Sequence, residues 1–271
     1  MKYSVTHIII NRIAQFVITT LLVLSGGCAT IGGSSTEAQS DQELKARRAI
    51  IVNHLNAGQP NRAISELRPL LIDQPDNADL LSLHGLSLLA LSKAADAIGP
   101  LKKAYKLSPN ATTALNLSSA YIETQKFKEA TQVLLKLRQD SNQFRTYPYP
   151  ERVHHNLGLS LEKQNKNKLA ETQYKLAIKA NPSFYLSLMQ LGILYRKTQR
   201  SQLAITQFNL AKDACPNCFE PIEGLALAYR DLKKNQSANR GLEQFVQRRD
   251  VDEVSRKRAL ALMQEFTPVR E

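Results

Sequence analysis

A 34-residue spacing of small and large residues constrains this sequence more than any other feature. Gly158, Gly192 and Ala226 stand 34 residues apart. Twelve residues after each comes an alanine, and four further on a large side chain: Ala170, Ala204 and Ala238, then Tyr174, Phe208 and Leu242. A repeat of this length is one supersecondary unit that cannot bury its apolar face alone, so stacked neighbours form the core. The spacing therefore predicts a stack of similar units.

The pattern resembles the tetratricopeptide repeat, a helix–turn–helix unit. In such a unit the small residues let the two helices approach closely, and prolines such as Pro182 and Pro216 would end the second helix. Looser copies precede this pattern, marked by Gly58, Gly85 and Leu117. The resemblance implies an all-α fold: a right-handed solenoid of about six units with a C-terminal capping helix.

The repeat phase predicts where the domains begin and end. Units 1–3 occupy residues 43–142 and units 4–6 residues 151–250, with an inter-repeat insertion at 143–150. The amphipathic stretch in 251–271 is expected to form the capping helix and tail. The insertion contains two X-Pro steps, Tyr147-Pro148 and Tyr149-Pro150, which cannot continue a helix. We expect it to bulge and to change the angle between the third and fourth units.

Residues 1–27 have the organisation of an export signal. The apolar stretch from Ile13 ends in "LSGGC" and is shorter than the roughly 17–25 residues that a spanning helix needs. "LSGGC" resembles a bacterial lipobox, which implies a covalent lipid on Cys28 and attachment to the outer membrane, facing the periplasm. A membrane anchor helix and an ordinary cleaved signal are the alternatives. Residues 28–42 are small and polar, which predicts a flexible linker.

The formal net charge of +12 would fall to +10 when Lys2 and Arg12 leave with the signal. Because no DNA is present in the periplasm, we expect the positive charge to attract anionic lipid headgroups, cell-wall polymer or an acidic partner rather than nucleic acid.

The sequence contains no HExxH, GxSxG or GxxxxGK[ST] motif. His154 and His155 are adjacent, but neighbours on a helix point about 100° apart, so they make a poor metal site. We therefore expect no catalysis, no metal, no small-molecule substrate and no cofactor beyond the lipid.

The motif "CPNC" places Cys215 and Cys218 between the fifth and sixth units. In an oxidising compartment a structural disulfide is the favoured interpretation. A redox-active pair, a metal site and free thiols are the alternatives.

The repeat resemblance implies that positions on the first helix of each unit line a concave groove. Those positions are largely apolar, which suits an amphipathic helix or an extended apolar peptide. Core packing is the alternative for any single one of them. The candidate partner-binding residues are Val52, Leu55, Leu86, Leu89, Asn116, Ile122, Asn156, Leu159, Leu186, Met189, Ile193 and Leu227.

The segment "YPERVHHNLGL", from Tyr149 to Leu159, is similar to the junction in type IV pilus pilotins of the PilF/PilW/Tgl type. The resemblance implies a lipid-anchored outer-membrane protein that binds a secretin subunit through its groove and promotes secretin multimerisation. Two other functions stay open: an envelope adaptor that regulates a cell-wall synthase, and a thiol-exchange platform built on Cys215 and Cys218.

Overall fold

The structure is a computed structural model that describes residues 35–266. The predicted signal segment, Cys28 and the last five residues lie outside that range. Residues 35–266 form fourteen α-helices and no strand. They are α1 Ser35–Asn56, α2 Pro60–Asp73, α3 Ala78–Ala90, α4 Ala94–Leu107, α5 Ala111–Glu123, α6 Phe127–Gln139, α7 Ser141–Arg145, α8 Pro150–Lys163, α9 Asn167–Ala180, α10 Tyr185–Lys197, α11 Ser201–Ala214, α12 Glu220–Asp231, α13 Asn235–Val246 and α14 Glu253–Phe266. Within this range no helix is both long and apolar enough to cross a bilayer.

The chain divides after Leu137 into two compact units. Unit 1 contains the hairpins α1–α2, α3–α4 and α5–α6, and unit 2 contains α8–α9, α10–α11 and α12–α13. We call the first helix of each hairpin the A helix and the second the B helix. In both units each A helix contacts the next A helix of that unit and packs against its own B helix. The A helices therefore form a continuous layer within each unit, which confirms the predicted all-α repeat fold.

Every hairpin turns through one residue in the left-handed backbone region, a conformation that favours glycine. Only the first turn uses a glycine; the six residues are Gly58, Ser92, Gln125, Asn165, Gln199 and Lys233. The next backbone N–H then bonds back to the A helix, as Arg200 does to the Tyr195 carbonyl at 2.7 Å. Consecutive turn residues are 33 or 34 positions apart, with one exception. Gln125 and Asn165 are 40 positions apart. The structure therefore locates the six extra residues between these two turns.

Close contact between A and B helices depends on glycines that face large side chains. A Cβ added to Gly158 would lie 2.7 Å from the Tyr174 ring. Gly192 and Gly224 both face Phe208, at 2.6 and 2.7 Å. Since real Cβ contacts are never this short, the fully buried Phe208 ring fits between two A helices only because both lack a side chain there.

The ends of the repeat array differ in part from expectation. The C-terminal helix α14 buries Ala259, Leu262 and Phe266 in a cluster with α13, as expected for a capping helix. Helix α1 begins at Ser35, inside the segment predicted to be a flexible linker. Helix α7 lies partly inside the predicted insertion, so part of that segment is helical.

We predict that Gly192→Ala destabilises the protein, because the added methyl group collides with the Phe208 ring. Overpacking of this kind costs about 1–3 kcal/mol of unfolding free energy. Gly241→Ala is the matched control: Gly241 lies inside α13, is followed by leucine, and has nothing within 4 Å of its Cβ position, so alanine should stabilise by about 0.5–1 kcal/mol. Urea denaturation followed by circular dichroism measures both; equal effects would contradict this packing role.

Candidate partner-binding surface

In unit 1 the A helices expose a stripe of partly buried side chains, here called the A-face of unit 1. Its members are the predicted residues Val52, Leu55, Leu86, Asn116 and Ile122, all half-buried. Leu55 and Ile122 also rest against the hydrophobic clusters beneath them. Leu89 differs: it is only 6% exposed and lies inside the cluster that contains Leu101 and Leu117. Core packing therefore accounts for Leu89, and the stripe is narrower than predicted.

In unit 2 the corresponding stripe is the A-face of unit 2. Asn156, Leu159, Leu186, Met189 and Leu227 are half-buried. Ile193 is 40% exposed and is the most open apolar member. Partly exposed leucine, methionine and isoleucine side chains gain free energy when a partner removes their remaining surface from water, by about 25 cal/mol per Å². The arrangement is suited to binding an apolar segment.

A cavity among residues 35–266 lies apart from both A-faces. Its volume is about 330 Å³, and it is lined by His84 and by side chains of the B helix α2. None of the predicted groove residues contributes to it. An open, half-buried stripe suits a peptide or helix better than a small molecule, which usually needs an enclosing pocket.

The insertion packs onto the first A helix of unit 2. The Phe144 ring of α7 stands edge-on to the His154 ring, 5.5 Å between centroids. His154 Nδ1 in turn donates to Gln173 Oε1 at 2.9 Å. The guanidinium of Arg152 lies over the Tyr149 ring at 4.8 Å. The insertion thus has its own contacts with α8 and is anchored to that helix.

His155 joins the fourth and fifth repeats. Its Nδ1 hydrogen-bonds with Ser187 Oγ of α10 at 3.1 Å, and its ring is edge-on to Phe184 at 5.6 Å. Complete burial lowers the pKa of His155 to about 4, because the imidazolium form would lose its hydration. The residue is therefore a neutral packing element at neutral pH.

Several polar contacts inside unit 2 were not predicted from the sequence. Tyr174 Oη donates to the buried Glu162 carboxylate at 2.8 Å, and burial together with that carboxylate raises the pKa of Tyr174. Arg196 Nε donates to Asp231 at 2.8 Å, which links the fifth and sixth repeats. The partners in both contacts are far apart in sequence, and no motif marks them. Only the arrangement of the helices brings them together.

Glu171 is the centre of a second network. Burial alone would raise its pKa, but the hydrogen bonds and positive charges of Arg200 and Lys175 outweigh burial and lower the pKa to about 2. Arg200 Nη2 lies 2.8 Å from the Glu171 carboxylate, and its guanidinium covers the Tyr195 ring at 4.5 Å. This carboxylate has a structural role because its charge is already compensated.

Cys215 and Cys218 lie within bonding reach of each other, with their Cα atoms 5.4 Å apart. Cys215 is 3% exposed. Arg248 holds the loop from the far side, donating to the Pro216 carbonyl and to Asn217 Oδ1, each at 2.6 Å. The "CPNC" loop is thus tied to the end of α13. Among the residues that the structure describes, no cluster of three or more His, Cys, Asp or Glu side chains is arranged to hold a metal.

Comparisons with known proteins agree with this architecture. The tetratricopeptide-repeat family matches residues 49–112 and 155–217. A search of curated protein sequences returns no significant match. Among solved structures, Pseudomonas aeruginosa PilF is similar with a TM-score of 0.66 and 19% identity, covering 82% of this chain and 99% of PilF.

Two further structures are similar. PilW, described as a widely conserved type IV pilus biogenesis factor, has a TM-score of 0.71 and 17% identity, covering 80% of this chain and 97% of PilW. YrrB, described as a TPR protein with an unusual peptide-binding site, has a TM-score of 0.51 and 17% identity, covering 72% and 97%. At these identities the similarity establishes the fold.

We predict that His155 makes unit 2 less stable in mild acid. Its folded pKa of about 4 lies below the ordinary 6.5, so the unfolded state binds the proton first as pH falls. Stability is complete above pH 6.5 and declines toward pH 4, by up to about 3 kcal/mol at 1.36 kcal/mol per pH unit.

The test compares urea denaturation at pH 7 and pH 4.5 for the parent and for His155→Gln. The variant should be less stable at pH 7 but should lose less stability on acidification. His54→Gln, a histidine replacement in unit 1, controls for the substitution itself. An equal acid loss in His155→Gln and the parent would contradict the prediction.

Proposed function

We propose that this chain, which is built from tetratricopeptide repeats, is a non-catalytic scaffold that binds a secretin subunit and promotes its multimerisation in type IV pilus biogenesis. One observation carries the proposal: half-buried apolar residues recur on the A helices of a fold that matches PilF and PilW over four-fifths of this chain. The sequence similarity at the Tyr149–Leu159 junction supports the same function.

The mechanism follows from the surface. A channel-forming subunit exposes apolar segments before its ring closes, and such segments aggregate unless they are covered. Leu86 and its A-face neighbours would cover one apolar segment of the subunit. They would release it when contacts between secretin subunits replace the contacts with the A-face. The free energy comes from burying apolar area. The half-buried Asn116 and Asn156 would add hydrogen bonds that fix the segment's register.

We further propose that Cys28 carries a lipid that holds the protein at the outer membrane, with the repeats in the periplasm. The "LSGGC" sequence supports this. Several acyl chains on one cysteine would give stable attachment, whereas one chain binds only marginally. The residues between Cys28 and α1 would serve as the tether.

A cell-wall adaptor is the second candidate function. The formal charge of +10 that remains after removal of residues 1–27 favours it, because a basic surface suits an anionic polymer or an acidic synthase partner. A thiol-exchange platform has less support: Cys215 is almost completely buried and Cys218 is half-buried, whereas exchange requires an accessible sulfur. We therefore propose a structural disulfide between Cys215 and Cys218.

The disulfide proposal has a direct test. Protein exported to the periplasm is alkylated without prior reduction and weighed intact by mass spectrometry. We expect neither Cys215 nor Cys218 to take up the alkylating reagent. Cys218→Ala should lower the unfolding free energy by about 2 kcal/mol, the loop-closure value for so short a loop. Free thiols in the exported protein, or an unchanged stability, would contradict a structural bond.

The main proposal is tested by deleting the gene and blotting for secretin multimers that resist heated detergent. We expect multimers to disappear while the monomer remains. The complemented strain then carries Leu86→Asp, which places a charge in the A-face, or Ile72→Asp as a matched control. Ile72 is 74% exposed on the B helix α2, so the same charge there removes no A-face contact.

Leu86→Asp should fail to restore multimers at normal protein levels, whereas Ile72→Asp should restore them. If multimers persist in the deletion strain, the secretin proposal fails, and affinity purification with cell-wall synthases tests the adaptor. If both variants restore multimers, the A-face of unit 1 is not the docking surface.

A further inference from the structure

The three A–B turns of unit 2 form an edge that is rich in lysine. Because consecutive A helices contact each other in this unit, the turns α8–α9, α10–α11 and α12–α13 lie along one side of the stack. Six lysines in or beside these turns are exposed to solvent. We call the following residues the basic edge: Lys163, Lys166, Lys168, Lys197, Lys233 and Lys234.

The acidic groups near this edge are already engaged. Glu162 is buried and accepts the Tyr174 hydroxyl, Glu171 pairs with Arg200 and Lys175, and Asp231 pairs with Arg196. Within the described range none of the six lysines has a carboxylate partner. The positive charge of the edge is therefore uncompensated.

Helix stability does not account for Lys166 and Lys234, although the helix dipole favours Lys163 and Lys197 in the last turns of α8 and α10. Lys166 and Lys234 are the N-cap residues of α9 and α13, and neither side chain makes a capping hydrogen bond. Ser, Thr, Asp or Asn at an N-cap is worth about 1 kcal/mol, and the helix dipole disfavours a cation there. Arg200 occupies the same position in α11. Arg200 is used inside the fold through its pair with Glu171, whereas the Lys166 and Lys234 ammonium groups have no carboxylate partner among the described residues, which points to a role outside the fold for these two lysines.

Two leucines beside the basic edge are also exposed. Leu169 in the first turn of α9 is 55% exposed, and Leu203 in the first turn of α11 is 46% exposed. Lysines that surround exposed apolar side chains are typical of a surface that contacts a bilayer interface, where the apolar groups enter the headgroup layer.

We propose that the basic edge of unit 2 docks on an anionic phospholipid surface. Lysine is a flexible point charge that suits many mobile headgroups, whereas arginine forms the fixed bidentate pairs typical of protein partners. On this edge, Arg196 and Arg200 are both engaged with carboxylates of the chain itself. Each lysine near an anionic bilayer contributes favourably to binding. The proposal concerns a different surface from the A-faces and holds whether or not a secretin is the partner.

Docking through this edge would orient unit 2 on the membrane. The A–B turns would face the headgroups, while the opposite ends of the helices, such as Lys179 in the last turn of α9, would face away. The A-face of unit 2 would then lie roughly perpendicular to the bilayer and stay open to a partner.

The test measures amine acetylation of the full chain bound to vesicles, with peptide mass spectrometry reading each lysine. Vesicles of phosphatidylcholine mixed with phosphatidylglycerol are compared with phosphatidylcholine alone. The basic-edge lysines should react several-fold more slowly on the anionic vesicles, and added salt should remove the difference. Lys102, Lys106 and Lys179 serve as internal controls and should react equally on both. Equal rates at the two sets of lysines would overturn the proposal.

Matched variants give a second readout. Lys166, Lys197 and Lys233 are changed to Gln in one full-chain variant, and Lys102, Lys106 and Lys179 in another, so the net charge changes equally. Any contribution of residues 1–34 is common to both. The first variant should lose about tenfold or more of the extra affinity for phosphatidylglycerol vesicles, and the second should lose little. Equal losses would mean that net charge alone binds lipid, and no loss would mean that the edge serves another partner; either result overturns the proposal.

Discussion

The packing of a large B-helix side chain against an A-helix glycine determines how closely the two helices of a hairpin approach. In unit 2 the Phe208 ring lies between Gly192 and Gly224, and Tyr174 lies against Gly158. These contacts hold the A helices side by side, so that the apolar positions on successive helices align as an A-face. The same packing places the A–B turns along one edge. Both candidate interaction surfaces are therefore consequences of this contact.

The sequence was sufficient to predict this framework because the repeat carries a strong and redundant signal. Glycine, alanine and aromatic positions recur at fixed offsets, and each has one physical purpose. The six extra residues were also detectable in the sequence, because they lengthen one repeat interval, the one that contains Gln125 and Asn165. By contrast, the short helix α7 and the early start of α1 carry no periodic pattern. Local composition suggested a bulge and a linker there, and the structure has helix in part of both segments.

The site was predictable only in outline. Helical positions identified the stripe, but whether a leucine faces the groove or the core depends on how its neighbours pack, and Leu89 belongs to the core. The contacts of His155 with Ser187 and of Arg196 with Asp231 join residues that are 32 and 35 positions apart. Such pairs follow from the repeat length once the fold is known. The individual residue types carry no sequence signal for them.

The A-faces and the basic edge differ in the chemical groups that they expose. The A-faces offer partly exposed apolar side chains and amides for a protein segment, whereas the basic edge offers uncompensated positive charge. Neither arrangement brings together a nucleophile, a base and an acid. We propose that the two surfaces belong to a scaffold that holds a partner close to a membrane, and contacts such as Arg200 with Glu171 make unit 2 rigid.

The central claim is that the A-face contacts a secretin subunit, and photo-crosslinking in the native envelope tests it most directly. A photoreactive amino acid is placed at Leu86 on the A-face or at Ile72 on the B helix α2, and the crosslinked products are identified by mass spectrometry. The account predicts a crosslink to the secretin subunit from Leu86 and none from Ile72. A secretin crosslink from Ile72 alone, or from neither position while another envelope protein is captured at Leu86, would contradict it.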